Sequence, residues 1–190
     1  MSAGRPSCAR CLRPRSTCLC TWITPTPTQC EVLILQHPLE VAQAKGSARL
    51  LHLSLPNSRL LIGETFDPSE LQKLMDAGDR VNVLLYPEEA QAPPEAATPL
   101  DPALIRLVVL DGTWRKSRKM LHLNPLLGEL PRLALQAPPP SRYRIRKAHL
   151  PGQLSTLEAT CLALRQLESG PAHLAPLLEA FDAFVTSQVR

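Results

Sequence analysis

Four of the six cysteines lie close together near the start of the chain, as Cys8, Cys11, Cys18 and Cys20. In a chain with no recognisable secretory signal, thiols at this density indicate metal binding rather than a disulfide framework. A closed set of four thiolates is typical of structural zinc, which folds segments too short for their own core. An iron–sulfur cluster or unligated, redox-active thiols are the alternatives. We predict a zinc-binding segment over residues 1–28 and a separate domain over residues 29–190.

A second candidate site follows a strongly apolar run. Residues 106–114 read RLVVLDGTW, so that Asp111 comes at the end of a predicted buried strand. In parallel α/β sheets, ligands bind at the carboxyl ends of the strands, and Gly112 permits close approach of a ligand to the backbone. A carboxylate at this place could act as a general base. The alternative is that Asp111 or Thr113 only caps the next helix.

A third candidate lies at a predicted helix start, where residues 154–159 read LSTLEA. Ser155 and Glu158 have the spacing of a capping box, in which each side chain accepts a hydrogen bond from the other residue's backbone. The same helix start, with Thr156, could receive the carboxylate of a ligand.

Basic residues form two runs in a chain with a net charge of +4. Their position beside the two candidate loops favours contact with phosphate groups, although a solvated surface is the usual alternative. Aromatic residues make up only 4% of the chain, so stacking alone would not hold a nucleic acid. The runs are Arg115, Lys116, Arg118 and Lys119, and then Arg142, Arg144, Arg146 and Lys147.

The elements that must position these residues alternate between apolar runs and amphipathic segments. This alternation predicts an α/β fold with a mainly parallel sheet flanked by helices. The predicted strands are Glu31–Gln36, Ser58–Ile62, Val81–Leu85, Ile105–Leu110 and Arg132–Leu135. The predicted helices are Ser47–Leu55, Ser69–Ala77, Arg115–Leu123, Thr156–Leu167 and a last one whose apolar stripe runs from Leu174 to Val185.

Composition agrees with one compact domain and a small appendage. The chain has 190 residues, of which 44% are hydrophobic, enough for a core without disulfides. No apolar run has the length of a signal-peptide core or of a membrane span. We therefore expect a cytoplasmic protein with no membrane contact.

Taken together, these motifs resemble those of a known family. The quoted segments are the N-terminal cysteines, HPLE at residues 37–40, SARLL at 47–51, LYP at 85–87, DGTW at 111–114, SRYRIRK at 141–147 and LSTLEA at 154–159. Their order resembles that of the DTW-domain family, named for the Asp-x-Thr-Trp motif that begins here at Asp111. The resemblance covers nearly the whole chain.

The resemblance implies an activity. Such proteins resemble SPOUT-class enzymes and are tRNA-uridine aminocarboxypropyltransferases. They move the 3-amino-3-carboxypropyl group of S-adenosylmethionine (SAM) onto N3 of a uridine and release 5′-methylthioadenosine. The resemblance also admits a knotted topology.

By analogy with SPOUT-class enzymes, three loops would bind SAM, and Asp111 would accept the N3 proton. The cofactor-binding residues would be Leu85, Tyr86, Pro87, Leu110, Gly112, Thr113, Leu150, Leu154, Ser155 and Thr156. His37 and Glu40 match the family pattern, but a strand-end turn explains them equally well. We expect Trp114 to be a packing anchor rather than a stacking platform.

Two other functions remain open. A SPOUT-type, SAM-dependent RNA methyltransferase would keep the fold and change the transferred group. A zinc-containing RNA-binding protein without catalysis would bind tRNA with no dependence on SAM or on the Asp111 carboxylate. The sequence does not indicate whether the chain forms a dimer.

Overall fold

The computed structural model describes residues 6–43, 46–87, 101–136, 138–139, 141, 154–168 and 171–188. Within these ranges, a five-stranded sheet has the strand order β2-β1-β4-β3-β5, and every pair of neighbouring strands is parallel. The predicted α/β class with a parallel sheet is therefore confirmed. The strands are β1 (Glu31–Gln36), β2 (Ser58–Ile62), β3 (Val81–Leu85), β4 (Ile105–Asp111) and β5 (Arg132–Leu133).

The helices follow the predicted places with small shifts at their ends. Side chains of Asp67, Thr113 and Ser155 accept hydrogen bonds at the N-termini of the second, third and fifth helices. No helix in the described ranges is both long and apolar enough to cross a bilayer. The helices are α1 (Ala48–Ser54), α2 (Pro68–Asp76), α3 (Trp114–Leu123), α4 (Pro125–Gly128), α5 (Thr156–Leu167) and α6 (Ala175–Ser187).

The core has one part on each face of the sheet, because side chains alternate along each strand. Val32 and Ile34 of β1 face a cluster built from α1, α5 and α6. Leu33 and Leu35 face a cluster built from α2, α3 and α4. The sheet is thus the middle of three layers, and its carboxyl edge is left for the loops.

Three sequence-based predictions need correction. Strands β1 and β4 are buried as predicted, but β2 and β3 are partly exposed. Strand β2 is an edge strand, and β3 has only the two-residue β5 on its outer side. Strand β5 ends at Leu133 rather than Leu135. Helix α4 was not predicted, because a single turn that begins with Pro125 is too short to show helical periodicity.

The N-terminal cysteine segment packs on the main core. Cys11 and Leu19 are buried in the same cluster as β1 and α6. Arg13 lies over the ring of Phe184, 5.4 Å from its centroid, and donates a 2.7 Å hydrogen bond to the carbonyl of Gly46. The segment is therefore attached to the loop that leads into α1.

Candidate active site at the carboxyl edge of the sheet

The end of β4 and the start of α5 meet at Asp111. Asp111 pairs in register with Gln36, the last residue of the neighbouring strand β1. Gln36 donates a 2.8 Å hydrogen bond from Nε2 to Asp111 Oδ2, and Thr156 donates a 2.6 Å hydrogen bond from Oγ1 to Oδ1. Asp111 is only 6% exposed. The end of β4 and the start of α5, which the sequence offered as two separate candidates, therefore form one site.

The direction of these hydrogen bonds determines what a ligand would meet. A threonine hydroxyl has one hydrogen, and Thr156 gives it to Asp111, so Oγ1 can only accept a hydrogen bond from elsewhere. Thr156 lines the adjacent cavity, whereas Asp111 is not among the described residues that line it. A ligand in the cavity therefore meets the charge of Asp111 through Thr156.

A cavity of about 970 Å³ opens beside this contact. Its volume is at the upper end of the range, about 300–1,000 Å³, that is usual for ligand sites. Three loops at the carboxyl edge contribute to its wall, and apolar side chains predominate. Among the residues predicted to bind a cofactor, those that line the cavity are Leu85, Tyr86, Pro87, Leu110, Gly112, Thr113, Leu154, Ser155 and Thr156. Leu150 lies outside the described residues.

The capping box predicted at the start of α5 is confirmed. Ser155 Oγ accepts a hydrogen bond from the Glu158 amide at 3.2 Å, and Glu158 Oε2 accepts one from the Ser155 amide at 2.8 Å. The Leu157 amide donates to Ser47 Oγ at 3.3 Å. Most amides of this helix start thus have protein partners, and only the Thr156 amide has none among the described residues.

His37 occupies a strand-end turn, one of the two readings left open for it. Its Nδ1 accepts a hydrogen bond from the Leu39 amide at 3.1 Å, and its Nε2 lies 2.9 Å from Glu64 Oε1. Because Nδ1 accepts, the proton of a neutral ring must be on Nε2, which donates to Glu64. Hydrogen bonds from Lys119 and then from His37 hold the pKa of Glu64 below its ordinary value.

The first basic run divides into paired and unpaired cations. Lys116 binds Glu40 Oε1 at 2.7 Å, and Lys119 binds Glu64 Oε2 at 2.9 Å. Arg115 and Arg118 line the cavity and have no ion-pair partner among the described residues. Arg142, Arg144, Arg146 and Lys147 of the second run lie outside the described residues.

An aromatic pair stands at the same cavity. Trp114 and Tyr86 pack edge to face, with ring centroids 5.7 Å apart and an interplanar angle of 77°. Arg132 lies over the Tyr86 ring at 5.4 Å from its centroid. Trp114 packs on Tyr86, as expected of a packing anchor, but 47% of the residue is exposed.

Sequence reasoning missed Gln36 and Arg132. Gln36 gives one usable signal, because it is an amide at the end of a strand that is otherwise apolar after its first residue, a place where side chains reach ligands or other polar groups. Arg132 has no such signal, since its contact with Tyr86 depends on the pairing of β3 with β5.

The four N-terminal cysteines form a second, separate site. All four Sγ atoms lie within 4.8 Å of one another, with 3.6 Å between Cys8 and Cys20 and 3.7 Å between Cys11 and Cys18. Tetrahedral zinc with bonds of about 2.3 Å separates its sulfur ligands by about 3.8 Å. The cluster therefore has a shape that zinc would fit.

Thiol ionisation at this site is uneven. Hydrogen bonds from backbone amides of Cys11 and Arg10 lower the pKa of Cys8 to about 6, whereas burial and the neighbouring thiols raise the pKa of Cys20 to about 12. Four neighbouring thiols cannot all ionise without a cation, and a bound metal supplies that charge.

The parallel sheet and the cavity at its carboxyl edge define an α/β protein whose cavity, of the size usual for small-ligand sites, lies beside a buried carboxylate. A family model described as DTW domain matches residues 5–189, and the chain belongs to this family. No solved structure matches the chain.

The chain is also similar to proteins named "tRNA-uridine aminocarboxypropyltransferase 2". The Mus musculus protein is 30% identical over 98% of this chain and 64% of its own length. The Drosophila melanogaster protein is 32% identical over 88% of this chain and 68% of its own length. The Macaca fascicularis protein is 29% identical over 98% of this chain. The chain thus spans slightly less than two thirds of the mouse relative.

Proposed function

We propose that this chain is a tRNA-uridine aminocarboxypropyltransferase. It transfers the 3-amino-3-carboxypropyl group of SAM to N3 of a uridine and releases 5′-methylthioadenosine. The family and the names of the relatives support the reaction type. The observation that carries the proposal is the 2.6 Å contact of Asp111 with Thr156 at the wall of a cavity of about 970 Å³.

The cavity suits the adenosyl part of SAM. Leu85, Leu110 and Leu133 supply apolar surface for the adenine and ribose, and the loop backbones supply hydrogen-bonding groups. The Thr156 amide at the start of α5, which has no partner among the described residues, is the group that would receive the carboxylate of the amino-acid tail. When bound, SAM supplies a carbon that is made electrophilic by the adjacent sulfonium.

Removal of the uridine N3 proton follows from the hydrogen-bond directions at Asp111. Thr156 Oγ1 accepts the N3 proton while its own proton passes to Asp111 Oδ1. The N3 lone pair then forms the new nitrogen–carbon bond, and the electrons of the carbon–sulfur bond leave with neutral methylthioadenosine. Gln36 holds the other carboxylate oxygen and fixes the orientation of the acid. Asp111 is thus the final proton acceptor, and Thr156 is the group that touches the substrate.

Contacts to tRNA phosphates belong to the cations at the cavity mouth. Arg115 and Arg118 line the cavity and are unpaired among the described residues, so their charges are available. Lys116 and Lys119 stay predicted contacts, but Glu40 and Glu64 already balance their charges. The second basic run stays part of the proposal on sequence grounds alone.

The cysteine site has a structural role in this proposal. Cys8, Cys11, Cys18 and Cys20 would hold one zinc ion with no open position for a substrate. The ion would stabilise a segment that contacts the core through Cys11 and Leu19.

The direct test is incubation with SAM and unmodified tRNA, followed by nucleoside mass spectrometry. We expect a uridine that is heavier by an aminocarboxypropyl group, together with one methylthioadenosine per modified uridine. A methylated nucleoside with S-adenosylhomocysteine would indicate a methyltransferase instead. If the tRNA binds equally well with and without SAM and stays unmodified after the incubation, the protein is not an enzyme for this reaction.

A further inference from the structure

The exposed ring at the cavity mouth has no function in the transfer step described above. Trp114 is the first residue of α3, lines the cavity and is 47% exposed, although a tryptophan ring loses much by contact with water. Tyr86 packs edge to face against it, and a contact of this kind covers at most one of the two faces of the indole ring. The ring is thus held in place from one side.

The charges around the Trp114 ring indicate which of the two substrates, SAM or the RNA uridine, the ring contacts. Arg115 and Arg118 line the same cavity, and neither has an ion-pair partner among the described residues. SAM has no phosphate and has a net positive charge, so two unpaired cations repel it. A nucleotide within an RNA strand has a phosphate on each side, which these cations attract.

The chemistry also requires that the uridine leave any base pair. N3 lies on the Watson–Crick edge, so a paired uridine cannot present it, and an extruded base needs a surface on which to stack. An aromatic ring with arginines beside it is the usual arrangement for an unpaired base.

We propose that Trp114 is the stacking platform for the extruded uracil, with Arg115 and Arg118 binding its flanking phosphates. This inference rests on the proposed function for the identity of the base. It places the adenosyl group deeper in the cavity, against the leucines of the sheet edge.

Fluorescence tests the stacking without any transfer step. In the variant W22F, Trp114 is the only tryptophan, because Trp22 is the other one in the chain. Trp22 lies in the cysteine segment and packs on the main core, so its replacement by phenylalanine is a conservative change away from the cavity. We would titrate W22F with a short oligouridylate, with an abasic oligomer of equal length, and with SAM.

The oligouridylate should quench the Trp114 emission in the absence of SAM, because a stacked base quenches an indole. The abasic oligomer should bind through its phosphates with little quenching, and SAM alone should leave most of the emission. Oligouridylate binding, followed by anisotropy of an end label, with unchanged Trp114 emission would overturn the inference. Equal quenching by the abasic oligomer would overturn it as well.

Affinity gives a second measurement. Replacement of Trp114 by leucine should weaken oligouridylate binding about 5- to 150-fold, the range that corresponds to one lost base–aromatic stack. W114F should restore part of the affinity, and the SAM affinity of both variants should stay within a few fold, which shows that they are folded. Equal oligouridylate affinity of W114L and the unchanged protein would overturn the platform.

The arginines have a matched control in Lys119, which lies on the same helix and is paired with Glu64. R118Q should lower the slope of log affinity against log salt by about 0.7, as expected for one lost phosphate contact on a single strand. K119Q should lower it less. Equal slopes for the two variants would refute the role of Arg118. If the fluorescence, affinity and salt measurements give the expected results but no aminocarboxypropyl group is transferred, only the proposed function is contradicted.

Discussion

At the scale of single residues, the proposed proton transfer depends on the hydroxyl of Thr156. Its proton is committed to Asp111, so the oxygen faces the cavity as an acceptor. Ser155 next to it has a different role, because its hydroxyl caps α5. In the proposed mechanism, the Thr156 hydroxyl transfers the proton, whereas the neighbouring Ser155 hydroxyl caps the helix.

This division predicts different results for two substitutions of Thr156. T156S keeps the hydroxyl and should retain most of the turnover. T156V keeps the shape but removes the proton path and leaves Asp111 Oδ1 with one donor fewer, at a cost of about 1–3 kcal/mol in stability. Turnover of T156V should fall about 10²-fold or more. Single-turnover rates with SAM and tRNA compare the two variants. If T156V reacts as fast as T156S, proton transfer through the Thr156 hydroxyl is excluded.

Residue-level prediction succeeded where the signal is local and failed where it depends on distant partners. The capping box at Ser155 needs only residues within one turn, and it is present as predicted. The Gln36–Asp111 contact joins residues 75 positions apart, and it requires that β1 lie beside β4. Likewise, only the fold shows that Glu40 and Glu64 neutralise two of the four cations on α3.

At the scale of elements, a buried arginine joins the amino end of the sheet to α2. Arg106 is 1% exposed and lies 2.8 Å from Glu31 Oε1. It also donates hydrogen bonds to the carbonyls of Leu74, Met75 and Ala77 at 2.7, 2.8 and 2.6 Å. Carbonyls at a helix C-terminus have no partner within the helix, so this side chain supplies what α2 lacks.

Removal of this side chain should therefore destabilise the fold strongly. R106M leaves three carbonyls without their hydrogen-bond donor and removes one of the cations that neutralise Glu31. We therefore expect the free energy of unfolding to fall by about 3–5 kcal/mol. Arg59 offers a matched control, since it contacts the same Glu31 at 3.5 Å from an exposed position. R59Q should cost less than about 1 kcal/mol. Urea unfolding measures the free energy of unfolding of both variants. Equal losses in R106M and R59Q would contradict the role of Arg106 in holding α2 to the sheet.

The bounds of most elements could be predicted because apolar runs end at turn residues. The burial of β2 and β3 could not be predicted, since apolar runs of similar length do not show which strand lies at an edge of the sheet. Strand order depends on the crossover connections between strands, which the local pattern of residues does not show.

At the scale of the whole molecule, the cysteine segment and the cavity are connected through one loop. Arg13 binds the carbonyl of Gly46, and the next residue, Ser47, accepts a hydrogen bond from the Leu157 amide in the first turn of α5. The segment that the metal would fold thus supports the helix start that lines the cavity.

Metal removal should affect both stability and thiol reactivity. We expect about one zinc ion per chain, and its chelation should lower Tm by about 2–4 °C for each kcal/mol lost in a chain of this size. Four thiols should then react with a disulfide reagent. Cys30 and Cys161 serve as internal controls, because burial raises the pKa of each to about 12. Bound iron with sulfide, or fewer than four released thiols, would contradict a zinc site.

The most direct test of the proposed proton transfer is the single-turnover rate at which D111N forms aminocarboxypropyl-uridine. The asparagine keeps the shape of Asp111 but cannot accept the proton that Thr156 passes on. At saturating SAM, we predict a fall of about 10²–10⁴-fold in rate, with SAM affinity on the same preparation changed by no more than a few fold. A D111N protein that binds SAM and modifies tRNA at the unchanged rate would contradict the account.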